Sequence, residues 1–208
     1  MARYTGASCK LCRREKQKLF LKGTKCNTEK CPLDKKNYAP GQHGLSRRMK
    51  FSEYAVQLRE KQKIKRMYGL QETQFRSYYE KANQQKGVTG DNLIRLLESR
   101  FDNVLFRLGF APSRKAARQL IMHGHFSIDG RTVDIPSFIF KPGQVISVRT
   151  NSKKLDIIHN SLRRVKDGVY NWLSVDKANL KGTFLQYPER SEVPLNANEQ
   201  LIIELYSK

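Results

Sequence analysis

Residues 99–135, SRFDNVLFRLGFAPSRKAARQLIMHGHFSIDGRTVDI, hold two helices and the start of a sheet in one short stretch. Phe101, Val104, Leu105 and Leu108 recur at helical spacing, and Gly109 ends the run. Ser113 is placed to cap a second helix with Ala117, Leu120 and Ile121 facing inward and Gly124 just past its end. The period then changes from helical to alternating. Phe126 and Ile128 share one face, and Asp129-Gly130 makes a two-residue hairpin turn. KPGQVISVR (141–149) adds another turn and strand. The expected unit is two short helices on a small antiparallel sheet. Arg114, Lys115, Arg118 and Gln119 are expected on its outer side, with His123 and His125 at the helix–strand junction.

Upstream, FSEYAVQLREKQKIKRMYG (51–69) reads as a helix capped by Ser52 and stopped by Gly69. Phe51, Tyr54, Ala55 and Leu58 form its expected apolar stripe, and Phe51 and Val56 are placed for a hydrophobic staple. Arg59, Lys63 and Arg66 recur at i, i+4 and i+7 beside that stripe, a pattern suited to phosphates. ETQFRSYYEKANQQKG (72–87) places Phe75, Tyr78, Tyr79 and Ala82 on one face, which reads as core rather than as a base-stacking platform. A third helix starts on Leu93, Ile94, Leu96 and Leu97. YAPGQHGLSRRMK (38–50) is a turn-rich connector exposing Gln42 and His43 beside Arg47, Arg48 and Lys50. Downstream, residues 171–195 read as short strands and loops packed by Trp172, Leu173, Phe184 and Leu185. NANEQLIIELYSK (196–208) starts at a good cap, Asn198, and puts Leu201, Ile202 and Leu205 on one helical face, although Ile-Ile also suits a strand.

The chain has 208 residues, 38% hydrophobic, and a formal net charge of +21. Such charge repels itself and is usually offset by a polyanion: nucleic acid first, an anionic membrane second. Residues 1–70 carry 19 Lys+Arg against 5 Asp+Glu, whereas 168–208 carry 4 against 5. The basic face is thus expected at the front, and the last forty residues are expected to serve packing or protein contacts. No run approaches the ~18 apolar residues of a membrane span, and MARYTGASCK lacks a hydrophobic signal region. The expected location is the cytosol or an organellar equivalent, where thiols stay reduced.

All four cysteines lie in CKLCRREKQKLFLKGTKCNTEKC (9–31). The pattern C-x2-C, thirteen residues, C-x4-C suits two knuckles turned onto one tetrahedral Zn²⁺ held by Cys9, Cys12, Cys26 and Cys31. A thioredoxin-like pair needs a strand before and a helix after, and it leaves the second pair unexplained. Lys10, Arg13 and Arg14 are expected to lower the thiol pKa values. Residues 1–45 hold few large apolar side chains beyond Leu19, Phe20 and Leu21, so metal ligation is expected to hold them folded. No Gly-rich phosphate loop, nucleophile elbow or metalloprotease spacing is present, and no small-molecule substrate or covalent catalysis is expected.

Read in order, MARYTG, CRRE, APGQHG, QLREKQK, TGDNLIRLLESRFDNVLFRLGF, SRKAARQLIMHGHFSIDGR and NEQLIIELYSK resemble the family of bacterial-type ribosomal protein four of the small subunit, over essentially the whole chain. Residues 99–160 also resemble the small RNA-binding module named after that protein, which recurs fused to catalytic domains. The resemblance implies an α+β fold: a 1–45 zinc-knuckle extension, a 46–91 helical domain completed by 197–208, and a 92–196 domain containing the module. It implies direct binding of small-subunit rRNA at a junction of the five-prime domain, nucleation of assembly, and a place near the point where mRNA enters. It also implies contact with ribosomal protein five and an influence on accuracy.

Carried over, the cysteines match the zinc-bearing form, and the RNA face comprises Arg3, Arg13, Arg14, Lys22, Lys35, Lys36, Tyr38, Gln42, His43, Arg47, Arg48, Lys50, Arg59, Lys63, Arg66, Arg76, Arg114, Lys115, Arg118, Gln119, His123 and His125. Met122 is left outside that face. The competing readings are an RNA-recognition subunit of an rRNA-modifying or quality-control factor, and a zinc-ribbon DNA-binding regulator.

Overall fold

The computed structural model describes residues 4–45, 51–164 and 168–207. Arg3, Arg47, Arg48 and Lys50 lie outside these described residues. The first helices are α1 (Ser8–Glu15), α2 (Pro32–Lys35), α3 (Glu53–Met67), α4 (Glu72–Asn83) and α5 (Thr89–Glu98). Then come α6 (Phe101–Arg107), α7 (Arg114–Met122), α8 (Asp156–Leu162) and α9 (Glu199–Ser207). The strands are β1 (Phe126–Ile128), β2 (Arg131–Thr132), β3 (Val145–Val148), β4 (Leu173–Asp176) and β5 (Lys181–Phe184). Two compact units result, one of Met1–Leu93 with Leu195–Lys208, the other of Ile94–Pro194.

In the first unit, the Ser52 hydroxyl accepts from the Ala55 amide and starts α3, while Gly69, with φ of +67°, turns the chain out of it. The buried face of α3 is not the predicted stripe. Phe51 and Tyr54 are exposed, and Gln57, Lys61, Ile64 and Met67 are buried instead. The reason is α9, which lies on α3. Ile202 of α9 and Ile64 of α3 are both fully buried, and Glu204 accepts a 3.1 Å hydrogen bond from Gln57 Nε2. The segment 196–208 was open between helix and strand on its sequence; Glu199–Ser207 within it is helical, and Asn198 Oδ1 caps that helix by accepting from the Gln200 amide.

Glu72 bridges Lys61 at 2.6 Å and Lys65 at 2.7 Å. Burial alone pushes its carboxyl up, but the hydrogen bonds and charges of the two lysines outweigh burial and bring it down from 4.5 to about 2. A depressed carboxylate stabilises the fold above its ordinary pKa and loses that contribution as pH falls through the folded value. Wild type is therefore expected to lose stability between pH 4.5 and 2 in a step that Glu72→Gln lacks. The side chain is 46% exposed, so the step is worth about 1 kcal/mol or less. Urea unfolding at stepped pH measures it, and identical pH profiles for both proteins would refute it.

The second unit is α6 and α7 over an antiparallel sheet ordered β2-β1-β3-β5-β4, the α+β arrangement expected. Ser113 caps α7 by accepting from Ala116 N, and Gly109 and Gly124 take positive φ where the helices stop. Asp129 and Gly130, both left-handed, join β1 to β2 with Ile128 opposite Arg131. The core is aromatic: Phe101, Phe110, Phe126, Phe140, Phe184 and Trp172 are all buried. Gly182 lets β5 pass under α6, since a Cβ there would lie 2.7 Å from Leu108 Cδ1. Leu185, expected to pack in this region, is 48% exposed.

Candidate nucleic-acid interface

Helix α7 presents a polar edge of the second unit, with Lys115 as its exposed cation. Lys115, Gln119 and His123 are exposed along it, and so is Met122, which the predicted face leaves out. Arg118, expected on the outer side, is buried. Its Nη2 donates to Asp102 Oδ2 at 2.7 Å, and the same carboxylate takes both arms of Arg100, at 3.1 and 2.7 Å. Arginine can leave water only where a fixed carboxylate receives it, and Asp102 of α6 does so here. Arg114 is half-buried. Its Nε donates to Asn103 Oδ1 at 2.7 Å, and its guanidinium lies 4.6 Å from the Phe106 ring.

Asn103 is itself held by Glu98, which is fully buried and takes both arms of Arg107 at 3.0 and 2.8 Å. Two buried ion-pair networks thus orient α7 from beneath. Glu98, Asp102, Asn103 and Arg107 were not legible as a site in the sequence; the available signal was polar and charged residues at positions whose helical period places them inside. At the junction, His125 Nδ1 faces Ser152 Oγ at 3.0 Å. Burial, then the charges of His123 and Arg149, lower its pKa below 6.5, so the ring is neutral at pH 7 and acts as a hydrogen-bonding group.

In the first unit the cationic row of α3 meets α1. Arg59 and Arg66 both donate to Glu15 Oε1, and Lys63 to Glu60. Glu15 is 1% exposed as a side chain. The acids are fewer than the cations they meet, so the joint remains positive, but these side chains are held by the fold as well as available to phosphate. Arg13 donates to the Tyr38 carbonyl at 3.0 Å and lies 4.6 Å from the Tyr38 ring. Arg14, Lys22, Lys35, Lys36, Gln42 and His43 are exposed. Arg76 is exposed and pairs with Glu80 one turn on.

Cys9 and Cys12 lie in α1, Cys26 in the 3₁₀ turn Gly23–Asn27, and Cys31 at the N-cap of α2. All four are free, and only Cys9 is not buried. The helix α1 was not legible, because its residues are mostly polar and it is only eight long. The expected lowering of thiol pKa is reversed at Cys12. Burial raises it, the Leu19 amide opposes, and the other three cysteines raise it further by their charge. The Lys22 amide donates to Cys26 Sγ at 3.4 Å. Four thiols in one short segment have the donor chemistry of a thiophilic divalent ion. Among the described residues, however, no group of three or more His, Cys, Asp or Glu is arranged closely enough to hold a metal.

No helix among the described residues is long and apolar enough to cross a membrane. Residues 3–98 match the Ribosomal protein S4/S9 N-terminal domain, and residues 99–146 match the S4 domain. The chain is 54% identical over 209 residues to small ribosomal subunit protein uS4 of Thermodesulfovibrio yellowstonii, covering 100% of both chains. It is 56% identical over 210 residues to the uS4 of Acidobacterium capsulatum and 54% identical over 209 to uS4A of Myxococcus xanthus, again over 100% of each.

Proposed function

The chain belongs to the family of small ribosomal subunit protein uS4, and from that premise we propose how its surface engages RNA. It is a structural, rRNA-binding component of the small subunit, a ribosomal protein and not an enzyme, and it works where ribosomes work, in the cytoplasm. Phosphates crowded at a junction are neutralised by Lys and Arg, which releases counterions. An RNA helix hides its base edges in a narrow major groove, so recognition runs through backbone, sugar hydroxyls and unpaired bases. The observation that carries the reading is the α7 edge: Lys115, Gln119 and His123 are held outward by a helix pinned through Arg114 and Arg118 to buried partners. A preorganised edge loses little freedom on binding.

The finer reading is that the target is a five-prime-domain junction, that binding nucleates assembly, and that the neighbours are entering mRNA and ribosomal protein five, with effects on accuracy. Its support is the motif-by-motif resemblance and the charge of the first 70 residues. The arm 1–45, the helical part 46–91 with 197–208, and the part 92–196 are read as three contact-making segments, each raising the effective concentration of the next. Cys9, Cys12, Cys26 and Cys31 are read as holders of a Zn²⁺ that would tie α1, the 3₁₀ turn and α2 together where the apolar core is thin.

The test is a salt titration of full-length protein on the five-prime domain of small-subunit rRNA, with unrelated RNA of equal length as competitor. Tight, preferred binding with a steep salt slope is expected, and equal binding to both RNAs would refute the specific role. Chelation in the same assay is expected to lower affinity, whereas unchanged affinity and fold in metal-free protein would refute the zinc reading.

A further inference from the structure

On the second unit, beside the C-terminal end of α7, a cleft of about 410 Å³ opens over the sheet, and Arg149 on its wall donates to the Gly124 carbonyl just past that helix at 3.0 Å. The strand register builds its floor. Thr132 of β2 lies opposite Ser127 of β1, Ser127 opposite Ser147 of β3, and Ser147 opposite Lys181 of β5. Directly opposite residues share a sheet face, so these four side chains form one row across four strands. Strands lie about 4.8 Å apart, so the row is roughly 14 Å long. Arg149 and Lys153 close the cleft beside it.

The chemistry of the row is one-sided. Three cations, Arg149, Lys153 and Lys181, line the cleft, and no lining residue is acidic. The neighbouring acid, Asp176, sits across the ladder from Lys181 and keeps its charge, its carboxylate fixed by hydrogen bonds from the Asn179 amide at 3.0 Å and from Asn179 Nδ2 at 2.6 Å, so three cations face one acid and the excess stays positive. The Ser127 and Ser147 hydroxyls are 2.9 Å apart. When Ser127 donates to Ser147, the Ser147 proton remains for a ligand oxygen. Val148 is the only aliphatic side chain among the lining residues, so the cleft does not suit an apolar ligand.

We propose that this row is a second RNA contact of the unit, seating a run of sugar–phosphate backbone. Hydroxyls reach the sugar and phosphate oxygens, and the three cations neutralise the phosphates. The length of the row favours a stretch of backbone over a single phosphate. The proposal rests on the RNA-binding reading above.

The test compares full-length wild type with Lys153→Gln/Lys181→Gln, which changes two exposed side chains. The control is Lys141→Gln/Arg163→Gln, an equal charge loss at exposed positions outside the cleft. On five-prime-domain rRNA the cleft variant is expected to bind about ten-fold more weakly and to flatten the slope of log K against log salt by roughly 1.5, as two lost phosphate contacts require. Its thermal midpoint is expected to stay at the wild-type value. A slope equal to wild type, or an equal change in the control, overturns the proposal. Inorganic phosphate is titrated separately, by phosphorus NMR. Phosphate binding lost in the cleft variant with the RNA slope unchanged also overturns it, in favour of a small-anion site. The slope is measured on unrelated structured RNA as well. A wild type without preference for rRNA would refute the ribosomal reading, while a cleft-dependent slope there would still support the row.

Discussion

Asp102→Ala is expected to cost the second unit about 3–5 kcal/mol, the usual penalty for stripping a buried ion pair of one partner. Asp102 is 2% exposed and serves two guanidiniums, Arg100 at 0% and Arg118 at 7%. Removing it leaves two buried cations without their carboxylate, and neither can shed its charge, because the guanidinium stays protonated. Arg118→Met is expected to cost much less, since it leaves the Asp102–Arg100 pair whole and keeps a side chain of similar length. Urea unfolding followed by tryptophan fluorescence measures both, with Trp172 as the single buried reporter. A loss below about 1 kcal/mol for Asp102→Ala would mean that water reaches the site. The variant also tests function. Once Arg118 is released, α7 loses an anchor, and RNA affinity is expected to fall further than the unfolded fraction explains.

Phe126→Ala is expected to cost a similar amount, about 3–5 kcal/mol, by a different mechanism. Phe126 begins β1 and is fully buried, edge-on to Phe101 at 6.3 Å and to Phe110 at 5.8 Å. Alanine there opens a cavity at the meeting point of α6, the loop after it and the sheet, and close-packed neighbours collapse into it only in part. Phe126→Leu fills most of the volume and is expected to recover most of the loss. Hydrogen exchange at the β1 amides checks the location. Unchanged protection in Phe126→Ala would show that the aromatic cluster is not what holds the strand.

The punctuation of α6, α7 and the hairpin was legible because each signal is local. Ser113 has a hydroxyl to offer the Ala116 amide, Gly109 and Gly124 tolerate left-handed backbone, and Asp129-Gly130 suits a turn with two such residues. The candidate interface was legible only in part. Lys115, Gln119 and His123 lie exposed on the predicted edge, but Arg118, one turn from Arg114, does not. Charge argues for water, and the opposing term, a carboxylate sixteen positions earlier, becomes visible only when α6 and α7 pack. The α3 stripe was misread for a similar reason. Phe51 and Tyr54 look like core until α9, arriving from the far end of the chain, lays Ile202 and Glu204 on the next face round.

What the sequence determined by itself was therefore the α+β class, the turns and caps, the strong positive charge, and the family to which these motifs belong. The tertiary structure alone decided which charges are tools and which are struts. It drew Arg100, Arg107 and Arg118 inward onto Asp102 and Glu98, tied Arg59 and Arg66 to Glu15, and left Lys115 and Gln119 on α7, and Lys181 on β5, facing solvent. The physical reason is the cost of burying charge. Whether an arginine stays in water depends on a partner's position, and that position is set by how distant segments pack.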